Sequence, residues 1–373
     1  MHTIQYTFKR VLIATVIVVL MWACCNYSNS ISEYVKDAIN TCLLVIVPSM
    51  YGFMIVSDLF IKTNAYKLMG KAFSKVTKRL LNLNGELFAI FLISNVAGYP
   101  IGAKLIASLE ANHKVPSRVA KNMYCYCYCS GLAFIMGMLS KSVADKNALK
   151  VSLIVYGSNV ISNLILCIII NSRLEPYDEP INSIPVKLSS KTLIDSINGS
   201  FKVLCSVCTM IVSFSIVISI LESTGISRLV YTLIAKTFNL GLKDANLILN
   251  SILEVSRTTY LTITGILYLP IVSALLSFGG ICVVLQIVSI AESSFNLVYF
   301  LRCRTFASIG SFVICYALVR LLLKQEVYTY YMYATTKISQ QASIVPSLCL
   351  LGMSFILLST QRPIGKKTIE KNF

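Results

Sequence analysis

Ten apolar segments, each about long enough to cross a bilayer, dominate this sequence of 373 residues. A membrane-spanning helix needs about 20 mainly apolar residues, and candidate segments lie at 10–25, 40–61, 86–108, 118–140, 149–171, 201–222, 243–265, 267–290, 303–323 and 343–360. Charged residues make up only 13% of the chain, against about a quarter in a typical soluble domain. The sequence therefore predicts an all-α polytopic membrane protein without a soluble domain of useful size.

Two further segments show the pattern of amphipathic helices that lie in the membrane interface. Residues 64–82 place apolar side chains on one helical face, and residues 225–240 repeat the same spacing. The lysines on the opposite face of the first segment are Lys67, Lys71, Lys75 and Lys78. Such helices bury their apolar face below the headgroups and direct their lysines towards anionic lipids.

Two of the apolar segments, 86–108 and 243–265, contain residues that disrupt a membrane helix. The first contains Gly98 and Lys104, and the second contains Arg257. In each half of the chain, a long span and an amphipathic helix precede the disrupted segment, and a broken span and an intact span follow it. The breaks are Cys129–Gly131 and Ser277–Gly280. Interrupted segments at matching places in two halves point to a transporter's binding site.

Two topologies are compatible with this order. If 86–108 and 243–265 cross the membrane, the two halves have parallel orientation; if they are re-entrant hairpins, the halves are inverted. Loop lysines and arginines are divided too evenly to discriminate. Lys104 and Arg257 would each cost about 2.5–3.5 kcal/mol at a lipid-exposed position in mid-membrane, and a buried hairpin tip removes that cost. We therefore predict two inverted repeats, each with a re-entrant hairpin and a broken helix, with about eight crossings plus two hairpins.

At these segments the chain resembles the bacterial sporulation integral membrane protein family, known as YlbJ-like or stage V sporulation protein V. Ser94-Asn-Val-Ala-Gly-Tyr-Pro-Ile-Gly-Ala-Lys104 and Leu276-Ser-Phe-Gly-Gly-Ile-Cys-Val-Val-Leu-Gln286 look like that family's SGYPxGAK and GFGGxSVxxQ segments. The resemblance covers about 40–325. The chain departs from it at Ala97, where the family usually has serine, and in the Tyr/Cys run at 125–129.

The resemblance implies paired nucleoside-recognition, or Gate, domains and an architecture similar to concentrative nucleoside transporters. It also implies a role in moving dipicolinate, a small aromatic dicarboxylate, from the mother cell towards the forespore. The expected regions are an N-terminal membrane helix and loop (1–39), a first Gate-like repeat (40–171), a linker (172–200), a second Gate-like repeat (201–325) and a C-terminal membrane helix with a basic tail (326–373).

The residues around the two tips and the two breaks form the candidate substrate-binding site. They are Asn95, Gly98, Tyr99, Pro100, Gly102, Lys104, Ser130, Gly131, Arg257, Thr258, Thr259, Gly279, Gly280 and Gln286. Helices that begin in mid-membrane present unpaired N–H groups and a positive dipole end, which favours an anion. Glycines would let a ligand approach the backbone.

The two basic residues of the site have alternative interpretations. Lys104 is a counter-ion for an anionic substrate, or it extends to the interface or pairs with Glu110. Arg257 can hold a carboxylate bidentately, or it pairs with Glu254, three residues earlier, in which case its role is structural.

Other classes of function find little support in the sequence. We expect no enzyme activity, metal or cofactor, because the chain shows no catalytic triad, phosphate loop or zinc motif and has only two histidines. The net charge of +17 fits cytoplasmic loops and anionic headgroups rather than nucleic acid. The expected partners are a small-molecule anion and the bilayer, and the sequence indicates no oligomeric state.

The leading hypothesis is a sporulation-associated transporter or channel for a small organic anion, dipicolinate by resemblance. One alternative is a nucleoside or ion transporter of the Gate-domain type. Another is a non-transporting membrane receptor or assembly factor that works through its first amphipathic helix and basic tail. The expected location is the bacterial cytoplasmic membrane or the mother-cell-derived forespore membrane, with both termini cytoplasmic.

Overall fold

The computed structural model describes residues 2–81, 83–139, 145–172, 189–261 and 266–323. Within them the chain is all-helical, without β-strands. The α-helices are α1 His2–Asn26, α2 Ser28–Thr41, α3 Val47–Lys62, α4 Tyr66–Leu81, α5 Gly85–Ala97, α6 Tyr99–Ala111, α7 Ser117–Tyr126, α8 Leu132–Leu139, α9 Asp145–Asn171, α10 Ser190–Ser223, α11 Ile226–Phe238, α12 Leu242–Leu253, α13 Tyr268–Phe278, α14 Gly280–Ile290 and α15 Leu297–Leu322. The expected C-terminal helix and tail, and most of the expected linker, lie outside these ranges.

Five helical stretches are long and apolar enough to cross a membrane. They are Ser28–Lys62, Ala148–Asn171, Ser190–Ser223, Tyr268–Ile290 and Leu297–Leu322. The apolar part of α1, Arg10–Asn26, is shorter. The predicted all-α class is confirmed, and five of the eight expected crossings have a helix of sufficient length and hydropathy among the described residues.

The first long stretch begins earlier than the sequence pattern indicated, because α2 continues into α3 through a π-helical turn at Cys42–Ile46. Pro48 lies in the first turn of α3 and has no N–H to bond the carbonyl four residues back. The adjacent turn widens instead, so the N–H of Val47 bonds the carbonyl of Cys42 five residues back. One continuous helix of 35 residues therefore replaces the expected span 40–61.

The disrupted segment 86–108 forms two short helices that pack on each other, α5 and α6. Each has 13 residues, or about 20 Å at 1.5 Å per residue, which is less than the ~30 Å hydrocarbon core. The turn is made by Gly98 alone, whose φ of 107° lies in the region that favours glycine. The segment is therefore a helical hairpin in shape, and its re-entrant position in a bilayer stays a prediction.

The disrupted segment of the second half differs from the first. Helix α12 ends at Leu253, Glu254 is extended, and a 3₁₀ helix follows at Val255–Tyr260. The Glu254 carboxylate accepts a hydrogen bond from the N–H of Ser256 and caps this 3₁₀ helix. The described part of 243–265 therefore has no second α-helical arm to match α6, because local side-chain bonds favour the tighter turn.

Both predicted helix breaks are present. The first broken span divides into α7 and α8, with 127–131 non-helical between them. The second divides into α13 and α14 at Gly279, whose φ of 83° is left-handed. A glycine in this conformation ends a helix without the steric penalty that a Cβ would bring.

The two predicted amphipathic segments are helical, as α4 and α11. Each helix exposes some large apolar side chains, for example Leu68 at 65% and Leu229 at 76%, as a lipid-facing surface would. Lys67 differs from the expected headgroup-facing lysines, because it is buried. A Cβ on Gly85 would lie 2.1 Å from the carbonyl oxygen of Gly70. Helices α4 and α5 therefore touch backbone to backbone.

Candidate substrate site at the helix breaks

The turn between α5 and α6 lies against the break between α7 and α8. A Cβ on Gly131 would lie 3.2 Å from the Cα of Gly98 and 3.0 Å from the carbonyl oxygen of Val96. A Cβ on Gly102 would lie 2.2 Å from the carbonyl oxygen of Cys127. The Cβ at Gly102 would overlap a backbone oxygen, and the Cβ at Gly131 would be crowded. Glycines at these two positions therefore let one interrupted element pack closely on another.

The break in the second half contacts both its own disrupted segment and the first break. A Cβ on Gly279 would lie 1.9 Å from the hydroxyl oxygen of Tyr128, which belongs to the first break. A Cβ on Gly280 would lie 3.2 Å from the backbone nitrogen of Val255, at the start of the 3₁₀ helix. The interrupted elements of the two halves therefore meet in one place.

Two tyrosine hydroxyls bind the end of α13. Tyr128 donates to the carbonyl of Phe278 over 2.9 Å, and Tyr99 donates to the carbonyl of Leu276. The two rings also contact each other, with centroids 4.6 Å apart. The last carbonyls of a helix have no partner within it, so these tyrosines satisfy groups that the break leaves free. Tyr99, expected to contact substrate, thus has a structural role.

Arg304 on α15 joins the two breaks and is absent from the predicted site. It is fully buried, and its guanidinium donates to the carbonyl of Cys125 at 2.8 Å and to the carbonyl of Ser277 at 2.5 Å. It also donates to the side chains of Asn163 at 2.9 Å and Ser277 at 3.0 Å. The guanidinium carbon lies 4.5 Å from the ring centroid of Tyr128.

The surroundings of Arg304 explain how a cation is held in the core. Cys125 lies in the last turn of α7 and Ser277 in the last turn of α13, so both carbonyls belong to the negative ends of helix dipoles. Among the described residues Arg304 forms no salt bridge with a carboxylate. Two helix C-termini, one from each half, therefore stabilise its charge. The sequence offers little indication of this role for Arg304, because an arginine at the edge of an apolar span is usually an interfacial anchor.

Asn163 on α9 completes this polar network. Its amide nitrogen donates to Asn95 at 2.8 Å and to the carbonyl of Tyr128 at 2.7 Å, while its oxygen accepts from Arg304. Asn95 in turn donates to the carbonyl of Phe91 at 2.8 Å. Both polar groups of Asn95 are occupied, so the structure gives this residue a structural role in place of the expected ligand contact.

A cavity of about 30 Å³ lies among these elements. Four residues of the predicted site line it: Tyr99, Pro100, Ser130 and Gln286. A water molecule needs about 10–15 Å³ measured in this way. The cavity therefore has room for one or two waters and is too small, in this conformation, for an aromatic dicarboxylate or a nucleoside.

The polar groups of the cavity come from both halves. Ser130 is fully buried, and its hydroxyl has no hydrogen-bond partner among the described residues. The amide nitrogen of Gln286 contacts the sulfur of Cys282 at 3.6 Å. Glu254, which was not in the predicted site, lines the cavity together with Ser256. Among the described residues, the single carboxylate that lines the cavity thus belongs to Glu254, which directly follows α12.

Lys104 lies away from the cavity and has an ionic partner. Its amino group is 2.8 Å from the carboxylate of Asp58 on α3, and Lys62 lies 2.7 Å from the other carboxylate oxygen. Glu110, the partner considered from the sequence, accepts a hydrogen bond from Ser294 at 2.6 Å. The counter-ion role of Lys104 therefore gains no support, because the lysine is paired with Asp58 and does not line the cavity in this conformation.

Arg257 is buried beside the second disrupted segment without a salt bridge among the described residues. It donates to the hydroxyl of Ser215 at 3.1 Å, and its guanidinium carbon lies 4.8 Å from the ring centroid of Tyr34. Tyr34 in turn donates to Glu222. The pairing with Glu254, one of the two alternatives for Arg257, is not seen, because Glu254 lies beyond the end of α12, where helical spacing no longer applies.

The two threonines after Arg257 bond locally. Thr258 donates to the carbonyl of Val255 at 2.7 Å and contacts the sulfur of Met138 at 2.9 Å. Thr259 donates to the carbonyl of Ser256 at 2.9 Å. Both hydroxyls therefore stabilise the 3₁₀ helix, and neither residue lines the cavity.

The described residues contain no group of three His, Cys, Asp or Glu side chains that could hold a metal ion. No family model, curated protein or solved structure matches the chain. The fold and the site alone therefore define its class: an all-helical protein whose long apolar helices suit a bilayer, with interrupted helices that meet around a small cavity.

Proposed function

We propose that this protein is a membrane transporter or channel for a small organic anion. The observation that carries the proposal is the meeting of interrupted helices from both halves around one cavity. Non-helical backbone at membrane depth is tolerated only where protein or a water-filled cavity satisfies it. Here Tyr99, Tyr128 and Arg304 satisfy the free carbonyls, which suits a transporter site at the interface between two repeats.

Charge near the breaks supports an anion. Arg257 and Arg304 are both buried without a salt bridge among the described residues, whereas Glu254 supplies one buried carboxylate. Neither guanidinium lines the closed cavity, but two buried cations without a carboxylate partner beside its walls would favour a negative solute over a cation when the elements separate. Dipicolinate as that solute, the inverted repeats and the sporulation role enter the proposal through the resemblance of the two motifs.

The size of the cavity requires a moving part. At about 30 Å³ it represents a closed conformation, and an aromatic dicarboxylate enters only when the α5–α6 hairpin separates from the breaks. Ser130 and Gln286 are the predicted site residues that line the cavity with polar groups. They would be the first to contact a solute when the cavity opens.

Uptake into proteoliposomes tests the proposal. Vesicles with the wild-type protein should take up labelled dipicolinate faster than empty vesicles. Gln286→Leu should lower this rate tenfold or more because it removes a polar group of the cavity. Ser213→Ala, which changes an exposed serine of α10, serves as the control and should leave the rate unchanged.

Two outcomes would contradict the proposal at different levels. Uptake of uridine without uptake of any dicarboxylate would replace the anion by a nucleoside. No uptake of either solute by well-folded protein in sealed vesicles would overturn transport itself. In that case a receptor or assembly role would account for the fold.

A further inference from the structure

Glu254 is a carboxylate enclosed in the core. It is only 1% exposed and lines the cavity at the junction of α12 and the 3₁₀ helix. Its oxygens accept hydrogen bonds from the backbone nitrogen of Ser256, at 2.8 Å, and from the Ser256 hydroxyl. No lysine, arginine or histidine of the described chain forms a salt bridge with it.

The walls around Glu254 are mainly apolar. Ile46, Met50, Phe134, Ile211 and Val283 are among the side chains that line the same cavity. An ionised carboxylate costs several kcal/mol in such surroundings unless it is paired. Two hydrogen bonds from one serine and the charge of Arg257 offset part of that cost, and a bound proton would remove the rest.

The charged and titratable groups that act on Glu254 come from three elements. Arg257 lies three residues further along the chain, Cys282 belongs to α14, and Cys42 belongs to the π-helical turn. The guanidinium of Arg257 is already engaged by Ser215 and Tyr34. A thiol near a carboxylate supplies no positive charge, so none of these groups replaces a direct counter-ion.

We infer that Glu254 is a proton-binding site that couples solute transport to proton transport. The carboxyl group takes a proton from water on one side when the cavity is open, and keeps it while the cavity is closed. It releases the proton when the cavity opens to the other side. This inference rests on the proposed function and names the coupling ion.

Symport of a proton with the anion follows from like-charge repulsion. An ionised Glu254 would face an incoming carboxylate across a cavity of about 30 Å³, and at 4 Å that repulsion is about 4 kcal/mol for an effective dielectric constant of 20. Protonation removes it, so the anion binds the protonated form better. Solute and proton are therefore bound together and released together.

An infrared experiment tests the protonation state without any substrate. The full-length protein in lipid nanodiscs is titrated with acid and base, and spectra of wild type and Glu254→Gln are subtracted. At neutral pH the wild type should show the carbonyl stretch of a protonated carboxyl group that Glu254→Gln lacks.

Glu222→Gln is the matched control for this experiment. Glu222 accepts hydrogen bonds from Tyr34, Asn246 and Asn250, so its charge is compensated, and the substitution should leave the band in place. A spectrum in which Glu254 is ionised at neutral pH would overturn the inference.

A flux experiment then tests the coupling. One proton with a dicarboxylate dianion moves one net negative charge, so the membrane potential is held at zero with a potassium ionophore and equal potassium on both sides. With external pH one unit below internal pH, wild-type vesicles should then accumulate dipicolinate up to about tenfold, because one pH unit corresponds to a factor of ten for one proton per solute. Glu254→Gln should exchange solute at equal pH but show no response to the gradient.

The outcomes separate this inference from the proposed function. Accumulation driven by a sodium gradient and insensitive to pH would refute proton coupling while transport stands. If wild-type vesicles move no solute, the proposed function fails and coupled transport fails with it. The infrared spectra would then still decide whether Glu254 binds a proton.

Discussion

Replacement of Arg304 by methionine should destabilise the protein more than any other single replacement of an arginine on α15. The guanidinium makes four hydrogen bonds, at 2.5, 2.8, 2.9 and 3.0 Å, to Cys125, Asn163 and Ser277. Methionine keeps much of the volume but has no donor. Three buried oxygens, two carbonyls and one side-chain amide, would lose their donor, while the Ser277 hydroxyl can rotate.

The magnitude follows from these losses. A buried acceptor without a partner costs about 1–3 kcal/mol, so three of them cost about 3–9 kcal/mol. The variant recovers part of the desolvation penalty that the wild type pays for a buried charge, and the net loss should be about 3–5 kcal/mol. At roughly 2 °C per kcal/mol, the lower end for large domains, the thermal midpoint should fall by about 6–10 °C.

The assay is the fraction of monodisperse protein that remains in detergent after heating, measured by size-exclusion chromatography. Arg302→Met is the matched control, because Arg302 lies on the same helix but is exposed, and its midpoint should shift by less than about 1 °C. Arg304→Lys should also be unstable, because one ammonium group cannot span both carbonyls. If Arg304→Met matches the wild type, the idea that Arg304 joins the two helix ends is wrong.

Two further substitutions test the packing and the charges of the site. Gly279→Ala should abolish the recovery of monodisperse protein, because its Cβ would lie 1.9 Å from the Tyr128 hydroxyl. Gly157→Ala is the control and should be recovered normally, because a Cβ there would have no atom within 4 Å. Equal recovery of the two variants would contradict the close approach of Tyr128 to Gly279. Lys104→Met should lower the unfolding free energy by no more than about 1 kcal/mol in chemical denaturation, because Lys104 is partly exposed and Asp58 keeps Lys62 as a partner. Its dipicolinate affinity, measured by calorimetry, should stay within twofold, and a tenfold loss would restore the counter-ion role.

The local features of this chain could be predicted from its sequence, because each depends on nearby residues. Gly98 and Gly279 adopt a positive φ and end helices, and the neighbouring turn and breakpoint residues in the sequence located these interruptions, whereas Gly157 lies within α9. The charged residues were assigned less well, because their partners are distant in the sequence. Lys104 pairs with Asp58 on another helix, and Arg304 binds carbonyls on α7 and α13.

Glu254 shows a second reason why sequence patterns failed. Its spacing of three from Arg257 suggested an ion pair on one helical face, which holds only if the helix continues. Helix α12 ends one residue before Glu254, so the two side chains diverge. The carboxylate then lines the cavity, a position that the spacing of residues along a helix could not predict.

The close contact of Gly70 with Gly85 restricts how the site can open. Helix α4 exposes Leu68 and Phe73, and a helix of this kind is held at the depth where lipid headgroups meet acyl chains. Because α4 and α5 touch backbone to backbone, displacement of the hairpin along the membrane normal would pull α4 out of that layer. A tilt or sideways swing would keep it there. If α4 lies at the interface, as the sequence predicts, the headgroup layer would therefore favour rocking of the hairpin over displacement along the membrane normal.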